Sequence, residues 1–135
     1  MADIAVTVDS VLFFQKEEKL KVLLVQRKND PFKGEWALPG GFLEEDEDLE
    51  NGARRELKEE TGLEVDKVWQ IRAFGKPHRD PRGRTISIAF MGIIEDEKEV
   101  KGSDDASDAR WFDSRNLPEL AFDHREIIEE ALSLL

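Results

Sequence analysis

The run GFLEEDEDLENGARRELKEETGL, from Gly41 to Leu63, demands a helix with an unusual face. Asp48 is a suitable N-cap, and Gly62, just beyond Thr61, is a suitable stop. At about 100° per residue, Leu49, Ala53 and Leu57 form one apolar stripe. Glu56 and Glu60 fall beside that stripe, and Glu59 lies next to Glu56. A solvated face would carry these carboxylates on the far side. Here the helix turns them toward the protein body, where an unpaired carboxylate is costly. Like charges one turn apart also repel by a few tenths of a kcal/mol per pair. Gly52 costs the same helix ~1 kcal/mol relative to alanine, so contacts elsewhere must hold it.

Something positive has to sit among these acids, and two readings stand. In one, Arg54, Arg55 and Lys58 neutralise the glutamates as in any ion-paired helix. In the other, closely spaced carboxylates supply oxygen ligands to a divalent cation and leave positions open for water and phosphate oxygens, as magnesium sites do. Arg55 then pairs with Glu47 or Glu56 and fixes a carboxylate's direction.

Composition narrows the field. With 135 residues the chain fits one domain, 1–135, around one core. A formal charge of -11 disfavours a nucleic-acid backbone or an anionic membrane surface as partner. It also means that an anionic substrate would need cations alongside it. The absence of cysteine excludes disulfides and thiolate metal sites. The start, MADIAVTVDSVLFF, has no basic leader and alternates apolar with polar residues, so it reads as a strand and not a signal peptide. No apolar run reaches membrane-spanning length. We read the chain as soluble and cytoplasmic.

Ile4 to Phe14 has strand composition, and residues 21–25 form a buried return strand after a polar turn. Asn29-Asp30-Pro31 and Lys33-Gly34 break regular structure, and Trp36-Ala37-Leu38 leads into a Pro39-Gly40-Gly41 turn. Val65 to Ala73 and Thr85 to Ile94 read as strands flanking the polar loop FGKPHRDPRGR. Glu95 to Asp108 is an acidic linker before a short strand, Ala109 to Phe112. A last helix starts near Asp123, with Ile127, Ile128, Ala131 and Leu132 on its inner face. Hairpin connections mixed with helices predict an α+β chain, a mixed sheet lying between helices.

Gly41, Glu47, Arg55, Glu56, Leu57, Glu59, Glu60, Gly62 and Leu63 match, position for position, the pattern G-x5-E-x7-R-E-U-x-E-E-x-G-U, with U apolar. The chain thereby resembles the Nudix hydrolases, and so many fixed positions at fixed spacing make the match specific. The resemblance implies an α/β/α sandwich and hydrolysis of a nucleoside diphosphate linked to another moiety. It implies Mg²⁺, with Mn²⁺ as a substitute, held by Glu56, Glu59, Glu60 and the carbonyl of Gly40. Glu59, Glu60 and Arg55 would carry catalysis, with Glu47 as an auxiliary group. An acid about six residues before a tryptophan reaches the metals in some members; Asp105 stands so before Trp111, with Asp104 and Glu97 behind it. An acidic surface linker is the alternative. Gly52 departs from the alanine usual in the family at its position.

Outside this pattern, PFKGEWALPGGF, RDPRGR and LAFDH resemble the ADP-ribose pyrophosphatase branch, with Pro77 or Pro81 in the place of its characteristic proline. Arg79, Arg82 and Arg84 suit phosphate and ribose oxygens, or equally a surface loop paired to acidic neighbours. Phe32 and Trp36 are candidates for stacking on adenine, with core packing as the other reading. Trp69 and Trp111 read as core. His124, in LAFDH, is a candidate substrate contact or a satisfied structural residue. The expected reaction converts ADP-ribose and water to AMP and ribose 5-phosphate. Two alternatives remain: hydrolysis of (d)NTPs or other nucleotide sugars, and a domain that senses ADP-ribose without cleaving it. The implied partner is a small nucleotide, and the resemblance leaves a homodimer open.

Overall fold

The computed structural model describes residues 1–96, 100, 102 and 106–135, and of residue 107 the backbone alone. In chain order the elements are β1 (Ala5–Lys16), β2 (Lys19–Arg27), β3 (Trp36–Ala37), β4 (Gly40–Phe42), α1 (Leu49–Thr61), β5 (Trp69–Phe74), β6 (Thr85–Ile94), β7 (Ala106–Asp113) and α2 (His124–Ser133). The sheet is mixed, as expected. β1 and β6 run parallel from Ala5 opposite Thr85 to Phe14 opposite Ile94, and every other pairing is antiparallel.

β1 alternates strictly, and its two faces build two cores. Val8 and Leu12 pack with Ala53 and Leu57 of α1, while Val11 and Phe13 pack with Ile127, Ile128 and Ala131 of α2. The helices therefore cover opposite faces of the sheet, which is the α/β/α arrangement. Leu57 is fully buried, and burial of such a side chain contributes roughly 1.5–3 kcal/mol.

The feature that makes the site is a divergence of β1 from β2. The two strands pair only near their shared hairpin, from Phe13 opposite Val22 to Lys16 opposite Lys19. Beyond it they part, and the segment 36–42 wedges between them. Trp36 and Ala37 pair with Gln26 and Val25, while Gly40 and Gly41 pair with Asp9 and Val8. Gly40 and Gly41 are thus strand residues and not the turn expected from Pro-Gly-Gly, because the parted strands leave open ladder positions that this segment fills. A Cβ on Gly40 would collide with Asp9 and with the Val8 carbonyl, so only glycine fits.

Three other expectations change. β5 begins at Trp69 rather than Val65, and Trp69, expected in the core, is 42% exposed. β5 ends the strand order and buries only Phe74; Ile71 packs partly buried against the core that holds Ile127 and Ile128, while Trp69, at the start of this edge strand, faces solvent. β7 starts at Ala106, three residues early, because its pairing with β2 continues to Arg27. Gly52 also finds its reason: a Cβ there would lie 2.8 Å from Leu43 Cδ1 and 3.0 Å from Glu47 Oε1. The helix gives up propensity so that the 43–47 loop can close on it. Trp111 does pack against the Leu12, Leu23, Leu57 and Leu63 cluster.

Candidate active site

α1 is set as its sequence asks. Asp48 Oδ1 accepts from the Asn51 N–H at 2.9 Å, and Gly62, at φ +77°, donates its N–H to the Lys58 carbonyl at 2.8 Å. Glu60 is only 7% exposed, and its Oε1 accepts from the Gly40 N–H at 2.7 Å. Helix and wedge are therefore joined at the residues the pattern singles out.

Arg55 organises the remaining acids. Its Nε and Nη2 donate to Glu47 at 2.8 and 2.7 Å, and its Nη1 donates to Glu56 Oε1 and to Glu59 Oε2, both at 2.9 Å. Nη2 also reaches the Phe42 carbonyl at 3.2 Å. The Glu47 hydrogen bond, ahead of the opposing effect of burial and the pull of Glu56, raises the Arg55 pKa; the same bond lowers that of Glu47. Arg55 thus neutralises the glutamates, as the ion-paired reading expects, and fixes their direction, while Arg54 donates to Asn51 and the Asp66 carbonyl and Lys58 pairs with Glu64.

A cleft of about 410 Å³ opens where β1 and β2 part, within the size range of small-ligand sites. Glu56, Glu60, Arg55, Gly40 and Gly41 line it, together with Asp9, Arg27, Arg79, Arg82, Phe42, Phe122 and His124. Glu59 does not line it; it is held at the rim by Arg55. The donor set suits a hard dication: the Glu56 and Glu60 carboxylates and the Gly40 carbonyl are all oxygen. A Cβ on Gly41 would stand 2.7 Å from both Glu56 oxygens, so glycine keeps the approach to that carboxylate clear. Among the described residues, no three Asp, Glu or His side chains are already gathered as a metal cluster. One oxygen of each glutamate meets Arg55 or the Gly40 amide, which fixes how the carboxylates are turned.

The basic wall comes from the end of β2, which carries Arg27, and from the loop between β5 and β6, which carries Arg79 and Arg82. Arg79 is buried in a two-pronged pair with Asp123. Burial works against its charge, but Asp123, with Asp9 and Asp80 nearby, outweighs this and raises its pKa. Arg82 grips buried Asp80 through Nε at 3.1 Å and Nη2 at 2.8 Å; burial alone would raise the Asp80 pKa, yet these bonds lower it. The Arg82 guanidinium lies 4.8 Å from the Phe42 ring centre and 5.4 Å from that of Phe122, with Arg27 5.0 Å from the same Phe122 ring. Phe122 reaches this place because Ala121 donates its N–H to the Trp36 carbonyl, docking the 120–122 segment on the wedge.

Of the residues anticipated from sequence, the cleft gathers Gly40, Arg55, Glu56, Glu60, Arg79, Arg82 and His124. Arg84 stays outside, bonded to the Gly75 carbonyl. Trp36 also stays outside, packed edge-on against Phe112 at 4.8 Å between ring centres. Phe32 lines a neighbouring notch with Lys76, His78 and Arg79, and its ring meets Phe122 at 4.8 Å. Asp105, Asp104 and Glu97 lie outside the described residues. Sequence reading passed over Asp9, Arg27, Phe42, Asp80 and Phe122. Asp9 left a signal, a carboxylate inside the otherwise buried run TVDSVLFF. Phe122 left none.

Residues 4–131 match the NUDIX domain. The chain belongs to the Nudix family. It is 49% identical over 128 residues to the ADP-ribose pyrophosphatase of Methanocaldococcus jannaschii, covering 93% of this chain and 72% of that protein. It is 34% identical to the ADPR responsive transcriptional repressor NtrR of Acinetobacter baylyi, covering 96% of this chain and 53% of the repressor. Among solved structures, the NUDIX domain of Shewanella oneidensis NrtR complexed with ADP ribose superposes with a TM-score of 0.92 at 36% identity, covering 98% of this chain and 89% of that one. Among the described residues, no helix is long and apolar enough to cross a membrane.

Proposed function

We propose that this Nudix chain hydrolyses the diphosphate bond of ADP-ribose, with Mg²⁺ or in its place Mn²⁺, to AMP and ribose 5-phosphate. The observation that carries this reading is a cleft lined by the Glu56 and Glu60 carboxylates with Arg55 between them, and by three further guanidinium groups, Arg27, Arg79 and Arg82. Such a mixture of charge suits a diphosphate accompanied by a cation. The 49% identity to an ADP-ribose pyrophosphatase supports the substrate.

Glu56, Glu59, Glu60 and the Gly40 carbonyl would hold the metal, which when bound activates water and offsets charge growing on the bridging oxygens. Arg55 orients these carboxylates. Arg79 and Arg82, already anchored by Asp123 and Asp80, offer phosphate oxygens their remaining N–H groups from fixed positions. Phe122, with Phe32 behind it, provides an aromatic surface for the adenine. Asp105 would supply a further acid. Arg84 and Trp36, which stand outside the cleft, take no part in binding.

Purified protein incubated with ADP-ribose and Mg²⁺ should release AMP and ribose 5-phosphate, and chelation should stop it. Release of pyrophosphate from dNTPs at a much higher kcat/KM would overturn the substrate. The identity to NtrR keeps the sensing reading in play; tight binding of ADP-ribose without turnover at saturating Mg²⁺ would favour it.

A further inference from the structure

Asp9 is a carboxylate in the middle of β1, with Val8 and Val11 fully buried around it, and is itself only 6% exposed. A charge in such a place needs a reason. Its Oδ2 accepts from two hydroxyls, those of Thr7 at 3.2 Å and Ser87, which fixes the carboxylate's rotation. Among the described residues its Oδ1 has no hydrogen-bond donor, and Asp9 lines the cleft. Gly40 lies opposite, and any side chain there would run into Oδ1, so the glycine leaves this oxygen open.

His124 supplies the complement. It is 4% exposed, and its Nδ1 accepts from the Leu38 N–H at 3.0 Å. The neutral ring therefore carries its proton on Nε2. Nε2 lies 3.9 Å from Asp9 Oδ1, beyond hydrogen-bond reach. An acceptor and a donor at this separation are matched by one group that both donates and accepts, which is a hydroxyl. A phosphate oxygen would be repelled by the carboxylate, and a cation would meet the Nε2 proton and the nearby Arg79 charge.

We propose that Asp9 Oδ1 and His124 Nε2 together form a subsite that recognises one ribose hydroxyl of the substrate, making Asp9 a specificity-determining residue. This rests on the ADP-ribose reading. Either ribose of that molecule carries the required chemistry, so the test removes one hydroxyl at a time from each. In one arm the adenosine ribose is altered; in the other, the terminal ribose.

For the wild-type protein, one analogue should lose about 10- to 100-fold in kcat/KM, as expected for a hydrogen bond to a charged group. Asp9→Asn should lose a similar factor on ADP-ribose and little more on that analogue. If Asp9→Asn does not fold, as followed by circular dichroism, His124→Gln replaces it in the same cycle. Analogues all within about threefold of ADP-ribose would overturn the subsite and reduce the pair to a water site. So would losses from variant and analogue that simply multiply. Wild-type protein that cleaves no ADP-ribose overturns the proposed function and this subsite with it; turnover without a discriminating hydroxyl overturns the subsite alone.

Discussion

One guanidinium, that of Arg55, lies within 3.5 Å of four carboxylates: Glu44, Glu47, Glu56 and Glu59. A planar fork can do this with fixed angles, whereas an ammonium group cannot. Arg55→Lys should therefore keep the charge but lose the aim, lowering kcat about 10- to 100-fold, as is common when groups behind metal ligands are changed. Steady-state kinetics alongside thermal melting would check this; unchanged kcat with a lowered Tm would make the arginine structural only. Glu60→Gln removes the charge of a proposed metal ligand while an amide oxygen can still accept from the Gly40 N–H. It should fold normally and lose at least about 100-fold in kcat; near-normal turnover at saturating Mg²⁺ would contradict its role. Arg82→Ala touches more than binding. Because the guanidinium grips buried Asp80, the variant should lose both ADP-ribose affinity and thermal stability, since it strands a buried carboxylate.

At the scale of elements, α1 was the most legible part of the chain. Its caps, its stripe and the inward tilt of its glutamates all follow from a period of 3.6, which local sequence carries. Asp48→Ala should cost about 1 kcal/mol by losing the bond to the Asn51 N–H, measurable by urea denaturation, with little change in KM. Where the reading slipped, the deciding contact was remote. Trp69 has the composition of a core residue, but only the sheet order reveals that it sits on an edge. Gly40 and Gly41 look like a turn until β1 and β2 are seen to part and leave ladder positions to fill. Gly52 looked like a weakness in the helix, and its purpose became visible only with Leu43 and Glu47 packed over it.

For the molecule as a whole, the α1 acids were readable because one helix carries them, and Arg79 and Arg82 because they crowd one loop of an acidic chain, but the residues that complete the site were not. Arg27, Asp80, Phe122 and Asp9 come from four separate segments that the sheet and the docked 120–122 segment bring together. Their assembly has a pH signature. Burial, ahead of the opposing influence of Asp9 and Asp123, holds the His124 pKa below its ordinary 6.5. The folded state then binds fewer protons than the unfolded state, so this contribution is complete above about pH 6.5 and fades as pH falls toward the depressed folded value. Asp80 and Glu47, also depressed, add a second loss below the ordinary carboxylate range. Tm recorded from pH 8 downward should begin to fall near pH 6.5, and His124→Gln should remove that first decline while leaving the second.

The wedge at 36–42 has a consequence for how such a protein changes its diet. The short insert that spreads the two strands also hands its Gly40 amide to Glu60, so lengthening or shortening it would resize the mouth and shift a carboxylate together. New substrates are more easily tried through the loops that bring Arg79, Arg82 and Phe122 to the mouth.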